Sequence, residues 1–371
     1  MGGELQSLAD APDAGVADEG AEFQTLHEIV RAARNRLDDT SWDYLVGGSE
    51  TETTLRRNRQ ALDSIALRPR VLNDVSSVDT TTTFFGHKAA LPVVLCPVGS
   101  LGSIHPEGGE AATTAAERFG VPVFVSSAIP ASMEAVARAA PRMKVFQLYI
   151  RGDAAWIDNY IDLARNAGYR ELCVTVDNAV GSRRERDIAK RFVKPWGRND
   201  QAAAFFSAAF AWDDLKRIKD KHRMPMVLKG ISTGEDADMA CAMGIDVVHV
   251  SNHGGRQLDH GRGTIEVLPE IVEAVGGRAR IIIDGGFYRG TDVVKALALG
   301  ADHVGLGRLY LYGLAAAGSA GVLRVLELLD SEIRTGMALL GVTALSQLNR
   351  SHVHVARPVA PADVLSAFPL L

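Results

Sequence analysis

The segment Val247-Val-His-Val-Ser251-Asn252-His253-Gly254-Gly255-Arg256-Gln257-Leu258-Asp259 decides how the rest of the chain is read. A mostly apolar run passes directly into a polar cluster that contains two glycines. This is the pattern of a buried parallel strand that delivers polar groups at its carboxyl end. Gly254 and Gly255 permit a tight backbone turn there. The strand thereby places His253, which can exchange a proton near neutral pH, close to Arg256, which can hold a carboxylate through two parallel hydrogen bonds. Such a pair suits an enzyme acting on a small organic acid. A histidine that satisfies a strand end beside a solvated arginine is the competing reading.

Outward from that strand, seven similar runs set up a rhythm. They are Leu91 to Pro97, Val121 to Ser126, Lys144 to Tyr149, Leu172 to Asp177, Met226 to Gly230, Arg280 to Asp284 and His303 to Gly307. Helical spacing separates them at Glu107 to Phe119, Ser132 to Ala139, Ala155 to Ala167, Glu235 to Met243, Ile265 to Val275 and Gly290 to Leu299. Eight strands alternating with helices predict an α/β fold, a (β/α)8 TIM barrel over residues 91–371. A doubly wound open sheet fits less well, because no G-x-G-x-x-G follows the first strand. Ahead of the barrel, residues 23–90 read as an N-terminal helical extension, with a helix at Phe23 to Leu37, and a Thr-rich hairpin that closes one barrel end. The long interval after Asp177, about residues 178–212, reads as a lid loop over the barrel mouth. A further helix is expected from Leu323 to Leu340, and the tail from Asn349 packs on the barrel or on a neighbouring subunit.

Composition narrows the function classes. The chain has 371 residues, 47% of them hydrophobic, and a net charge of -5. It can bury a large core, and nothing in it suggests nucleic acid as a partner. No apolar run approaches the roughly 20 residues of a membrane span. Residues 1–22 are acidic, rich in Ala and Gly and without an apolar core, which reads as a disordered tail rather than a signal. Cys96, Cys173 and Cys241 are odd in number and lack metal-ligand spacing. They read as buried thiols in a reducing, cytoplasmic setting, and no metal is expected.

A second polar cluster lies in the last third. Asp284-Gly285-Gly286-Phe287-Tyr288-Arg289-Gly290 ends the seventh strand, and Gly305-Leu-Gly307-Arg308 ends the eighth. Glycines expose backbone N–H groups, each set is followed by an arginine, and barrels commonly bind phosphate at these two loops.

Ser251-Asn-His253-Gly-Gly-Arg256-Gln-Leu-Asp259, with Thr175-Val-Asp177 and Arg183-Arg184-Glu185, resembles the FMN-dependent 2-hydroxy acid oxidase/dehydrogenase family. That family includes glycolate oxidase, lactate oxidase, mandelate dehydrogenase and flavocytochrome b2. The resemblance spans about Tyr44 to His352. It implies FMN at the carboxyl ends of the strands, a small 2-hydroxy acid as substrate, and oxygen, a quinone or a carrier protein as electron acceptor. It implies His253 as catalytic base and Asp177 as the carboxylate that stabilises its protonated form. Arg256 and Arg184 resemble the pair that binds the substrate carboxylate, with Tyr44 and Tyr149 at its oxygens. Lys229 is similar to the lysine beside the flavin pyrimidine edge. Pro97, Val98, Gly99, Ser126, Gln147, Thr175 and Ser251 match flavin-contacting positions, and a homo-oligomer, tetramer or octamer, is implied as well.

Three departures shape the expectations. Ala128 stands where the family has a tryptophan, and Tyr288 where it has the first of two adjacent arginines, so a phosphate contact falls to Arg289, Arg308 or backbone. The loop after the fourth strand is also short. Gly99 and Ala128 are expected to enlarge the substrate wall unless Phe205, Phe206 or Trp212 refills it, giving an acid with a bulky or aryl side chain. The alternative is another FMN barrel enzyme, such as a flavin isomerase or a tailoring enzyme on a larger carboxylate metabolite.

Overall fold

The computed structural model describes residues 22–129, 133–140, 142–192 and 201–371. The expected tail over residues 1–22 lies outside them but for residue 22, as does Ser132 at the start of an expected helix. Eight parallel strands close into a barrel: β1 (Val93–Leu95), β2 (Val123–Ser126), β3 (Lys144–Leu148), β4 (Glu171–Thr175), β5 (Met226–Ile231), β6 (Val247–Val250), β7 (Arg280–Ile283) and β8 (His303–Leu306). Each of the eight expected runs overlaps one of them, β4 starting one residue earlier and β5 ending one residue later than expected. Neighbours pair in chain order, and β8 returns to β1 through Val304 opposite Val93 and Leu306 opposite Leu95. Helices follow the strands, as the sequence rhythm requires.

The two-residue repeat of a strand explains what the interior contains. Val94, Phe124, Val145, Cys173, Val227, Val247 and Ile282 form a small apolar cluster inside the barrel, apart from the main core between strands and helices. Phe84 belongs to this cluster and comes from the hairpin Thr82–Phe84 and His87–Ala89. The Thr-rich segment therefore plugs the amino end of the barrel. Two residues further along the same strands, the inward positions become Cys96, Ser126, Gln147, Thr175, Lys229, His249 and Asp284. The inward positions toward the carboxyl end are thus mostly polar, whereas at the amino end His303 meets the Phe84 plug.

The N-terminal segment contributes three helices: Leu26–Arg36, capped by Thr25; Asp39–Val46, capped by Asp38; and Thr53–Asp63. The last is fixed to the barrel by a buried ion pair, Arg59 to Asp292 at 2.7 Å. The C-terminal tail packs on this chain's own barrel. Val353–Val355 pairs antiparallel with Ile65–Leu67, and the buried Phe368 meets Tyr288, Tyr312 and His27.

Arg308–Leu340 extends well before the helix expected from Leu323. By length and composition it could cross a membrane, yet 72% of its most apolar 18-residue stretch is buried within the molecule. Its path breaks at Ala317 and Gly318, the latter with φ 56. Burial and the break mark it as a core helix of the barrel wall. The interval expected as a lid loop is partly helical, with Glu185–Ala189 and Gln201–Ala209, and residues 193–200 lie outside the described residues.

Candidate active site

A cavity of about 620 Å³ opens at the carboxyl ends of the strands. Its size is that of a cofactor or ligand site. The β6 strand ends at Val250, and the next residues turn inward. His253 adopts φ 58, a left-handed conformation uncommon for a residue with a side chain. The turn is pinned from two directions. The His253 N–H donates to Ser251 Oγ at 3.0 Å, and Asn252 exchanges side-chain hydrogen bonds with Asn58 at 2.7 and 2.9 Å.

The imidazole is held at both nitrogens. Nδ1 lies 2.9 Å from Asp177 Oδ1, and Nε2 lies 3.2 Å from the Tyr149 hydroxyl. Asp177 follows β4 directly, and Gln257 Nε2 donates to its backbone carbonyl at 2.9 Å. Burial lowers the His253 pKa below 6.5, with Asp177 opposing the shift, so the free ring is neutral at pH 7. The Asp177 carboxyl is also held below its ordinary value. Burial alone would raise it, and His253, by charge and hydrogen bond, outweighs that penalty. A neutral ring with an anion behind Nδ1 can accept a proton at Nε2 and hold it as imidazolium.

Across from this pair, Arg256 and Arg184 both line the cavity. Arg256 Nη1 donates to the carbonyls of Tyr44 and Gly47 at 2.8 and 2.7 Å, and its guanidinium lies 4.9 Å from the Tyr44 ring centre. Arg184 Nε donates to the Arg256 carbonyl at 3.2 Å. Among the described residues neither arginine forms an ion pair with a carboxylate. Burial, with the charge of Arg184 added, pushes the Arg256 pKa down to about 9. Two half-buried cations held together without an ion-paired carboxylate make a receptor for an anion. Tyr44 also lines the cavity, with its hydroxyl 3.4 Å from the Gly99 carbonyl.

The opposite wall fits FMN. Gln147 donates from Nε2 to Thr175 Oγ1 at 2.9 Å, whereas its Oε1 is buried without a hydrogen-bond partner. Lys229 donates to Ser251 Oγ at 2.8 Å and lies 3.2 Å from Asp284 Oδ2, so a buried ammonium faces the cavity. Asp284 holds that ammonium protonated and is itself kept far below the carboxylate range, chiefly by Lys229 working against burial. Pro97, Val98, Gly99, Gly285, Gly286, Gly307 and Arg308 line the cavity, whereas Ser126, Gln147, Thr175 and Ser251 support it from beneath. A side-chain carbon added at Gly307 would meet nothing within 4 Å, so the turn there leaves room for a ligand group beside the chain. The orphaned amide oxygen, the buried ammonium and the open glycine turn suit the polar ring edge and phosphate of FMN.

Two expected contacts are corrected. Arg289 points away from the cavity: its guanidinium pairs with Glu332 at 2.5 Å and donates to the Ala367 carbonyl. The phosphate end is instead lined by Gly286, Gly307, Arg308 and Tyr288. Ala128 does not line the cavity either. Its N–H donates to Ser126 Oγ and its carbonyl accepts from the Ser100 N–H, so it serves a backbone turn. Phe205, Phe206 and Trp212 are likewise absent from the cavity wall.

Several lining residues carried no sequence signal of their own: Arg151, Val180, Ser182, Ala204 and Ser207. They sit in loops and on one short helix, where no periodicity tells inside from outside. Gln257 was findable, since it belongs to the strand-end string that also holds His253 and Arg256.

The FMN-dependent dehydrogenase family model matches residues 33–355. Glycolate oxidase 1 of Zea mays is 38% identical over 94% of this chain and 99% of its own. The L-lactate oxidase of Nostoc sp. is 38% identical over 89% of this chain and 98% of its own. Among solved structures, a mandelate oxidase variant with 3,3,3-trifluoro-2,2-dihydroxypropanoic acid superposes with a TM-score of 0.85. That match has 39% identity over 90% of this chain and 99% of the other. The fold, the cavity chemistry and these likenesses agree, and the chain belongs to the FMN-dependent 2-hydroxy acid oxidases, oxidoreductases that carry FMN in a (β/α)8 barrel.

Proposed function

We propose that this enzyme oxidises an L-2-hydroxy acid with a bulky or aryl side chain, using His253 as base and the Arg184/Arg256 pair as carboxylate clamp. The observation that carries the assignment of residues is the juxtaposition of a neutral, carboxylate-backed imidazole with two half-buried arginines that, among the described residues, form no ion pair. The arginines bind and orient the acid's carboxylate, with the hydroxyls of Tyr44 and Tyr149 beside it. His253 takes a proton at Nε2 from the 2-hydroxy centre, and Asp177 steadies the resulting imidazolium. Bound FMN supplies the acceptor for the two electrons that leave as the 2-oxo acid forms. Lys229 places positive charge where negative charge then develops.

The size preference rests on the lid side of the cavity. Gly99, Ala179, Gly181, Ala203 and Ala204 line it, and among the described residues no lid aromatic does, Phe192 stacking behind Tyr44 at 4.6 Å. Small side chains leave room, and an apolar pocket gains affinity when a ligand fills it. Flavin reduction under argon by mandelate-like, long aliphatic and lactate-like acids tests the preference through their kcat/KM values. The aryl acid is expected to lead, and a preference for glycolate would sink the reading. Ala204→Phe should shift the ratio toward the smaller acid. Peroxide formation in air against reduction of quinones separates oxygen from the other acceptors. Three buried free thiols support a reducing, cytoplasmic setting, and exposed Leu72, Leu258 and Val355 support a homo-oligomer, which light scattering checks.

A further inference from the structure

Beneath the cavity, the barrel interior holds a group that the proton transfer does not use. His249 is fully buried on β6 and paired in register with Lys229 on β5. Its Nε2 lies 3.1 Å from Asp284 Oδ2, a close polar contact outside hydrogen-bond alignment, its Nδ1 has no hydrogen-bond partner, and the Phe124 ring meets it edge to face at 6.0 Å. The same Oδ2 lies 3.2 Å from Lys229 Nζ and 3.5 Å from the Cys96 thiol, while Oδ1 accepts the Ser251 hydroxyl at 2.7 Å. One buried carboxylate is thus shared by an ammonium, a hydroxyl, a thiol and an imidazole. Cys96, His249 and Asp284 also present sulfur, nitrogen and oxygen within 4.8 Å of one another. A metal ion there would meet the Lys229 ammonium beside the same oxygen, and that like charge disfavours it.

Lys229, Asp284 and Cys96 line the cavity, whereas His249 does not. It can act on the cavity only through Asp284. We propose that His249 is a positioning residue that sets the reduction potential of the bound flavin by controlling how fully Asp284 neutralises Lys229. A lysine paired with an undistracted carboxylate is nearly a closed dipole and projects little field. The positive edge of the imidazole, 3.1 Å from Oδ2, draws on the carboxylate's charge, loosens its hold on the ammonium and leaves more positive potential in the cavity. Burial lowers the His249 pKa, so the ring contributes a dipole rather than a second cation. Positive potential at the flavin favours the reduced, more negative state. The effect is independent of the size of the acid's side chain.

Two variants and one spectroscopic measurement test this. His249→Leu removes that positive edge, and His249→Gln keeps an N–H. In the FMN-loaded proteins, the reduction equilibrium read against a reference dye should move toward the oxidised state by about tenfold in His249→Leu, about 30 mV for a two-electron couple. His249→Gln should stay within about twofold of the parent. A leucine variant at the parent potential overturns the proposal, and so does a glutamine variant that falls as far as leucine, since that would mean packing alone matters. Nitrogen-15 NMR of histidine in the unmutated holoenzyme decides even if the leucine variant does not fold. The ring should be neutral with its proton on Nε2 at pH 7, and an imidazolium or a proton on Nδ1 overturns the proposal.

Discussion

At His253 two costs meet: a left-handed backbone and a buried ring with a depressed pKa. Both persist because Ser251, Asn252 with Asn58, Asp177 and Tyr149 over-determine the position. His253→Gln should keep FMN bound and lower the rate of flavin reduction by roughly 10²- to 10⁴-fold, the usual range for a general base. Stopped-flow reduction under argon reads it, and reduction at the parent rate would show that another group takes the proton. The pKa direction gives a second expectation. Because the folded ring loses its proton below 6.5, the acid limb of kcat/KM for the free enzyme should lie below 6.5. Activity should therefore persist as pH falls past the ordinary histidine value. At the clamp, Arg256→Met removes a charge-assisted contact worth about 1.5–3 kcal/mol, or roughly 10- to 150-fold in kcat/KM. The loss should fall on KM and kcat together, since the carboxylate is held before and during reaction. A methionine variant with unchanged kinetics would remove Arg256 from the clamp.

Between elements, the clearest constraint lies where β4 and β5 reach the cavity. Gly230 has φ 111, and a side-chain carbon there would come within 2.7 Å of Asp177 Cβ and 2.8 Å of its backbone nitrogen. Gly230→Ala should therefore displace Asp177 from His253 as well as strain its own backbone. The expected cost is about 1–3 kcal/mol of stability, with activity falling further than stability alone explains. Denaturation midpoints and flavin reduction measured on one preparation separate the two effects. Activity equal to the parent would mean the dyad tolerates the shift. The same element pair shows how much was legible in advance. Short apolar runs recurring between helical patterns marked all eight strands, because such a pattern is local. The lid was legible only as a long interval, since neither its helices nor its lining residues follow a repeat that separates inward from outward.

Over the whole molecule, the barrel buries histidines as neutral rings at more than one level. His303 is buried on β8 with Nε2 lacking a partner, against the edge-to-face ring of Phe84 at 5.4 Å. Burial pushes its pKa down to about 4 from 6.5. The unfolded chain therefore takes up this proton first, and stability should fall as pH drops from 6.5 toward 4. The single group contributes about 3 kcal/mol, at 1.36 kcal/mol for each pKa unit. His249 and His253 act in the same direction. Denaturant midpoints from pH 7 to 4 should decline, and His303→Leu should flatten the decline. An unchanged slope in that variant would place the acid sensitivity elsewhere.

The family resemblance supplied the roles of Asp177 and Lys229; the sequence by itself determined the barrel, its eight strands, a hairpin over one end and the strand-end residues His253 and Arg256. These depend on repeats and punctuation within a few residues of chain. Tertiary structure alone decided that Arg289 belongs to Glu332, that Ala128 serves a backbone turn, and that Tyr288 stands beside Arg308. It also decided that His249 shares the carboxylate of Asp284. Each of those pairings joins residues brought together by barrel closure or by a loop conformation. A repeat along one strand states which way a side chain faces, but only the closed barrel states what it meets there.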